Sequence, residues 1–460
     1  MKPGMASSAL GKLKDKLGEV LGLLESQTSS VKPVNIYVGG GVDGAAASIM
    51  VARLLLKLGC PFRLRWFKQS GDMLQQLRSE GLSILVDVGG AEALIRKLGG
   101  GGRWIVFSHH LPVVEESGVL TVNPELYGFD GSTEACCSST CYLLLCEAKA
   151  EDEVSKLLLC LGVMGEEQVL EPDGDVKGID GACISPLLKE GRVKVAKKLK
   201  VFAASKLPLF KSLAYTLNPP IMSLMGSEEA ALRFLKSLEL GEEASSIVLP
   251  SLGSEGKGRL VQALVKEAIV SGVDAYEAGR FLGPVLEANF DFFSNDLYEE
   301  ACIMDACVKA GRLGLAVSGF MKRFVEFPLK EALEEAVSYV KSLTLELSRL
   351  SPIIKGSAEK LKVYELQPLA QYSLIELAKA LRCFNPEGVT VTLTKLDDFA
   401  KVAVVAGRKL VWDKEVSAKL VGKVLDIGGM GWGSVGEVEA LLPSSKLPEL
   451  LSFVGEVSEG

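Results

Sequence analysis

A chain of 460 residues with 51 Lys and Arg against 58 Asp and Glu, and so a formal net charge of −7, has room for two or three hydrophobic cores. It is too acidic to coat nucleic acid by bulk electrostatics. Its 48% hydrophobic and 24% charged residues describe a globular protein. No uninterrupted apolar stretch reaches the roughly 18–20 residues of a membrane helix. Lys12, Lys14 and Lys16 break up the apolar positions of the N-terminus, which speaks against a secretory leader; a cytoplasmic protein with no membrane partner is expected.

In chain order, Leu10, Leu13, Leu17, Leu21 and Leu24 recur at spacings of three and four and predict an amphipathic helix over 6–25. From Val34 the pattern alternates. Strands are predicted at Val34–Val38, Phe62–Phe67, Ser83–Val88 and Trp104–Phe107, with helices at Ala45–Leu58, near Asp72–Ser79 and at Ala91–Leu98. Such alternation means a parallel sheet with helices on both faces, and a site at the carboxyl ends of its strands. Helices over Glu134–Lys149 and Asp152–Leu161 follow, the second running into a loop that contains Glu166.

Beyond Lys189 the chain reads as helical: Lys194–Phe202, Leu209–Tyr215, Glu228–Leu238, Lys257–Ser271, Tyr276–Leu286, Leu297–Ala310 and a long connector over Leu329–Arg349. The basic cluster Lys189, Arg192, Lys194, Lys197, Lys198 and Lys200 is read first as a solvated helix face and only second as a phosphate strip. The last hundred residues return to strands at Val389–Leu393, Phe399–Ala406 and Lys409–Val411 and a helix at Lys414–Leu425. The glycine-rich segment Gly428-Gly429-Met430-Gly431-Trp432-Gly433 then requires a tight turn or a close approach to a ligand.

The only two histidines, His109 and His110, stand side by side at a predicted strand end. Together with Asp43 and Asp87 at two other strand ends, and Glu166, they form a set of the kind that holds hard divalent ions. The alternatives stay open. The histidines also suit a buried hydrogen-bonded pair, and Asp43 suits the cap of the helix that follows it. The ten cysteines read as reduced core thiols. Cys137 and Cys141 lie four apart on a predicted helix, but with no CxxC pair or companion His nearby they are expected to be small core residues rather than zinc ligands.

The order GGGVDG, VDVGG, SHHLP, Asn123-Pro124 and VMGEEQ resembles the motif series of the DHH phosphoesterase superfamily, RecJ branch. Phe202–Ile221 and the segment from Ala306 to Gly314 look similar to the archaeal GINS-associated RecJ-like proteins. These are counterparts of the CMG helicase subunit called cell division cycle forty-five. The resemblance implies a parallel-sheet DHH domain over 31–188 behind an N-terminal helix at 1–30, and a helical middle region over 189–335. A connector helix with a smaller α/β DHH-associated domain would fill 336–460.

The resemblance also implies a degenerate site. Gly39 and Gly41 stand where the family has His and Asp, Ser108 where it has the Asp of Asp-His-His, Glu166 where it has an Asp, and Met430 where it has His. Glycine offers no side-chain lone pair and serine is a poor ligand for these ions. No residue is therefore assigned a catalytic role, no cofactor is required, and Asp43, Asp87, His109, His110 and Glu166 are left to hold at most one residual Mn or Mg ion. The expectation is an inactive scaffold that binds GINS and MCM. Arg408, Gly428, Gly429 and Trp432 are candidates for contact with single-stranded DNA. The alternative is a metal-dependent single-strand 5′ to 3′ exonuclease.

Overall fold

The apolar runs Val34–Val38, Leu82–Val86 and Trp104–Phe107 become strands of one parallel sheet, each buried on both faces and so without polar alternation, whereas Phe62–Trp66 alternates apolar residues with Arg and is mostly half-buried. In a computed structural model, residues 3–68, 73–77, 81–99, 102–111, 116–170, 172–240, 243–291, 293, 296–321, 329–354, 360–367 and 373–459 are described. Strands β1 (Val34–Val38), β2 (Phe62–Trp66), β3 (Leu82–Val86), β4 (Arg103–Phe107) and β5 (Val119–Val122) lie in the order β2-β1-β3-β4-β5, all parallel. The expected α/β class is thus what the structure has, and the sheet gains one unanticipated edge strand, β5. The strand order reverses between β1 and β3, and a crevice at the carboxyl ends of those two strands is where open α/β sheets bind ligands.

Among the described residues up to Lys189 the α-helices are α1 (Pro3–Glu25), α2 (Val42–Lys57), the short α3 (Met73–Gln76), α4 (Ala91–Lys97), α5 (Cys137–Glu147), α6 (Glu153–Gly165) and α7 (Gly178–Lys189). Of the helix expected near Asp72–Ser79, residues 72, 78 and 79 lie outside the described residues. Of the five leucines whose spacing predicts α1, Leu13, Leu17 and Leu24 are fully buried, Leu10 and Leu21 are half-buried, and Val20 joins the buried face. Helix α2 is buried along most of its length, Val42 through Ala52, because it packs against α5 and α6 as well as the sheet. Its run of Ala45, Ala46 and Ala47 lets those neighbours come close. Helix α6 starts on a capping box, in which Asp152 accepts from the Ser155 N–H and the Ser155 hydroxyl accepts from the Asp152 N–H.

Two predicted helices prove otherwise. Lys194–Phe202 contains strand β6 (Val193–Leu199), after which come α8 (Leu209–Ala214), α9 (Glu228–Ser237), α10 (Ser254–Val270) and α11 (Ala275–Gly279). Tyr276–Leu286 is helical only to Gly279, and Leu282–Ala288 forms strand β7, which pairs with β6. The reason is local: Gly283-Pro284 cannot continue a helix, and the apolar strand that results recruits the Lys-Val-Ala-Lys segment as its partner. Half of the basic cluster, Lys194, Lys197 and Lys198, therefore lies along a strand, while Lys189 ends α7.

The remaining elements are α12 (Leu297–Lys309), α13 (Leu313–Met321), α14 (Leu329–Ile354), β8 (Leu361–Glu365), α15 (Leu374–Arg382), β9 (Val389–Leu396), β10 (Phe399–Ala406), α16 (Lys414–Asp426), β11 (Met430–Ser434), β12 (Glu437–Pro443) and α17 (Leu447–Glu459). Lys409–Val411, expected as a strand, is a turn in which Val411 is exposed. By contacts the chain forms two units. One comprises Met1–Ala196, Val285–Ala332 and Met430–Ser434; the other comprises Lys197–Pro284, Leu333–Gly429 and Val435–Gly460. Residues 189–335 are thus shared between the two.

In the second unit β12, β10, β9 and β8 lie side by side, antiparallel except for the parallel β8–β9 pair, over a core that includes Val391, Val402, Leu420 and Leu442. Gly428-Gly429 ends α16. Gly428 has a φ of +84° and its N–H donates to the Leu425 carbonyl, while the Gly429 N–H donates to the Val424 carbonyl, the paired bonds of a Schellman stop. Among the described residues no helix is long and apolar enough to cross a membrane. Gly428→Ala should lower stability by about 1 kcal/mol, the cost of a left-handed alanine, read as a reduced urea midpoint; an unchanged midpoint would contradict the assigned stop.

Candidate functional site

Three loops meet at the reversal of strand order. The first runs from β1 through Gly39-Gly40-Gly41 into α2. Gly39 continues the ladder beyond β1, its N–H donating to the Val86 carbonyl at 2.9 Å. A Cβ added there would stand 2.3 Å from the Asp87 carbonyl oxygen, so the peptide after β3 fills the space of any side chain at 39. At Gly41 a Cβ would stand 1.9 Å from Asp305 Oδ1. Asp305, on α12, accepts from the Val42 N–H at 3.0 Å and pairs with Lys309 at 2.7 Å. The first turn of α2 is thus capped from α12, at a sequence distance of 263 residues, and the room for a carboxylate at 41 is occupied by that cap.

Asp43 lies in the first turn of α2 and is fully buried. It caps another helix. Its Oδ2 accepts from the Cys137 N–H at 2.7 Å and its Oδ1 from the Ser138 N–H at 2.8 Å, the first two peptides of α5, whose own N-cap residue Cys136 makes no side-chain cap bond. Helix α5 therefore begins at Cys137, not at Glu134 as the sequence predicts. On α6, Gly162 lets that helix approach: a Cβ there would be 2.7 Å from Asp43 Oδ1 and 2.0 Å from Ser138 Oγ. Burial and the neighbouring Asp87 charge raise the Asp43 pKa, against the opposing pull of His109 and Ser138.

The second loop carries Asp87 just past β3. Its φ is +55°, a left-handed conformation that Asp tolerates better than most residues and that clusters at functional sites. Its Oδ1 lies 2.8 Å from His110 Nε2 and 3.5 Å from His109 Nε2, and Oδ2 packs so close to Gly40 that a Cβ there would be 1.8 Å away. Burial works to raise the Asp87 pKa, but the two histidines outweigh it and hold the carboxyl well below its usual range.

The third loop, past β4, carries Ser108, His109 and His110. The Ser108 hydroxyl accepts from the His110 N–H at 3.2 Å, and the Asn123 side chain donates to the His110 carbonyl at 2.9 Å. His109 is 2% exposed. Its Nδ1 lies 2.8 Å from the Gly131 carbonyl oxygen, which makes Nδ1 the donor. Its Nε2 then faces Asp87 and Asp43, at 3.5 Å and 3.9 Å, and makes no hydrogen bond to either. Burial works to lower the pKa of His109, yet contact with Asp87 and the charges of Glu166, Asp87 and Asp43 raise it to about 10.

Asp43, Asp87 and His109 are thus brought together, and a fourth residue joins them. Cys137 Sγ lies 4.0 Å from Asp87 Oδ1, and one donor atom from each of Asp43, Asp87, His109 and Cys137 falls within 4.8 Å of every other. His110 binds Asp87 from outside this group. Glu166 is the half-buried C-cap of α6 and also stands outside it. Cys137 was expected to be a core residue for want of a companion histidine; folding supplies one from β4. The donors fit one divalent ion, since the His109 Nε2 is buried, unpartnered and aimed at two carboxylates. Such an ion would tie together the loops after β1, β3 and β4 and the start of α5.

The candidates for nucleic-acid contact fare differently. Trp432 is 4% exposed and sits over Gly89, where a Cβ would be 2.2 Å from its Cδ1, so its indole is packed and not offered for base stacking. Gly428 and Gly429 stop a helix. In the second unit, Arg408 Nε lies 2.9 Å from Oε1 of the buried Glu277, which Arg280 also holds.

No protein-family model matches the chain. An uncharacterized protein of Methanocaldococcus jannaschii is 24% identical over 244 residues, 50% of this chain and 53% of that protein, so the chain spans about half the length of the curated relative it matches. Among solved structures, CDC45 from Entamoeba histolytica superposes with a TM-score of 0.62 at 10% identity, covering 97% of this chain and 99% of CDC45. RecJ from Thermus thermophilus, in complex with manganese, gives a TM-score of 0.51 at 14% identity, covering 97% of this chain and 54% of RecJ. The class is therefore the RecJ-like DHH fold. Within it, the match to CDC45 runs along essentially the whole of both chains.

A folded His109 pKa of about 10, above the ordinary 6.5, means stability that is complete below about pH 6.5 and lost as pH rises toward 10. In chelator-treated protein the gap in urea midpoint between wild type and His109→Asn should be widest near pH 6 and narrow by about pH 10. A gap that widens with pH would contradict the protonated His109.

Proposed function

We propose that the chain is a catalytically inactive, RecJ-like scaffold subunit of an archaeal CMG-type replicative helicase, binding GINS and MCM. The observation that carries this reading is the closure of the first loop. Two-ion phosphodiester hydrolysis needs donors for a second ion that holds the attacking or leaving oxygen. Positions 39 and 41 supply none, and their side-chain space is taken by the Asp87 peptide and by Asp305 with its Lys309 partner. Restoring a carboxylate at 41 would require α12 to give way. Ser108 is engaged with the backbone of His110, so the third loop does not replace what is lost.

The partners follow from the resemblance of Phe202–Ile221 and of the segment from Ala306 to Gly314 to GINS-associated proteins, with the end-to-end fold match to CDC45 as support. The motif loops, on this reading, are kept for their part in the fold. Asp43 starts α5, Asp87 ties β3 to the paired histidines, and the glycine-rich segment ends α16 and seats Trp432.

Full-length protein should leave 5′-labelled single-stranded DNA intact in manganese, and manganese-dependent cleavage that disappears in Asp87→Ala would sink the scaffold reading. Mixed with purified GINS from the same source, the chain should co-elute in size exclusion as a stoichiometric complex; separate elution at micromolar concentration would remove the replisome assignment.

A further inference from the structure

We propose that Asp43, Asp87, His109 and Cys137 form a closed four-donor site for a single dication of the zinc type, held for structure. This rests on the reading that the loops no longer support two-ion hydrolysis, and it states what chemistry they retain.

The argument begins with distances. With no ion bound His109 is held protonated by these carboxylates, but a charge-assisted hydrogen bond would bring its Nε2 to about 2.7–2.9 Å from one of them. His110 stands that close to Asp87, at 2.8 Å. His109 does not: its Nε2 stands off at 3.5 Å and 3.9 Å and bonds to neither. Ligands of one tetrahedral ion stand about 3.3 Å apart for oxygen and nitrogen and about 3.6 Å to sulfur, given metal bonds of about 2.0–2.1 and 2.3 Å, so the 3.5 and 3.9 Å separations are wide of that spacing by a few tenths of an ångström. The Sγ of Cys137 at 4.0 Å from Asp87 Oδ1 falls a few tenths of an ångström outside that spacing.

The donor types choose the metal. Magnesium and manganese favour oxygen donors and octahedral shells with water, whereas a thiolate with an imidazole and carboxylates in a set of four favours zinc. Exposure chooses the role. The four residues are 0%, 2%, 2% and 1% exposed, so the site is closed in the manner of structural zinc centres rather than open to a substrate. The surroundings fix the ligands as such sites require. The Gly131 carbonyl orients His109, two α5 peptides orient Asp43, and His110 holds Asp87. Cys137 opens α5; burial and the Asp87 and Asp43 charges push its thiol well above the usual range, so the thiolate forms only with the charge of the dication beside it.

The test is cobalt substitution in full-length, chelator-treated protein. One Co²⁺ per chain should bind, giving a thiolate-to-cobalt charge-transfer band in the near ultraviolet that added Zn²⁺ abolishes. The band should be lost in Cys137→Ser and kept in Cys141→Ser, a buried cysteine outside the set. No bound cobalt, cobalt without the band, or a band indifferent to Cys137→Ser overturns the proposal. Because Cys137→Ser could fail to fold, X-ray absorption of zinc-loaded wild type provides a second reading. It should show one sulfur at about 2.3 Å among lighter ligands, and a sulfur-free shell overturns the site. Manganese-dependent cleavage by the same preparation would refute the scaffold reading while leaving the thiolate band to be judged on its own.

Discussion

Both oxygens of the Asp43 carboxylate are bound to the first two peptides of α5, and much of the first unit depends on that arrangement. A helix start leaves unpaired N–H groups that are costly to bury, and α5 starts in the core, where water cannot satisfy them. A carboxylate from α2 answers this and suits the positive end of the helix dipole. The same bonds fix where Cys137 stands and demand Gly162 on α6, since any larger residue would collide with Asp43 and Ser138. One side chain thereby sets the mutual placement of α2, α5 and α6.

Around it the site reads as a catalytic framework put to structural use. The loops after β1, β3 and β4 still converge where the strand order reverses, which is where an α/β sheet offers its crevice. Yet the glycines at 39 and 41 are not empty positions. The Asp87 peptide closes one, and Asp305 with Lys309 closes the other while capping α2. A side chain at either position would therefore require this packing to give way. Buried carboxylates without a counter-charge are expensive, so the remaining Asp43 and Asp87 need His109, His110 or a metal beside them. That need gives the paired histidines a structural role of their own, independent of any hydrolysis.

What the sequence disclosed follows the range of the interactions. The parallel sheet was legible because doubly buried strands are plain apolar runs, and α1 because five leucines repeat at helical spacing. Asp43, Asp87 and His109 were legible as a group because their motifs occur in a known order at strand ends. Cys137 was not, since its companion His109 comes from a different loop and no local CxxC pattern marks it. Asp305 was invisible for the same reason on a longer scale. The misread helices around Lys194–Phe202 and Tyr276–Leu286 are a pair of strands that stabilise each other, a property of neither segment alone, although Gly283-Pro284 was a signal that the second could not be helical. Trp432, which its glycine-rich setting suits equally to stacking on a base or to core packing, fills the space above Gly89.

The central claim is that the motif loops have kept one half of a two-ion site and closed the other. Native mass spectrometry of the full-length chain in excess manganese tests it most directly. The account predicts no more than one specifically bound ion per chain, with that ion lost in Asp87→Ala; two ions that both depend on Asp87 would contradict it.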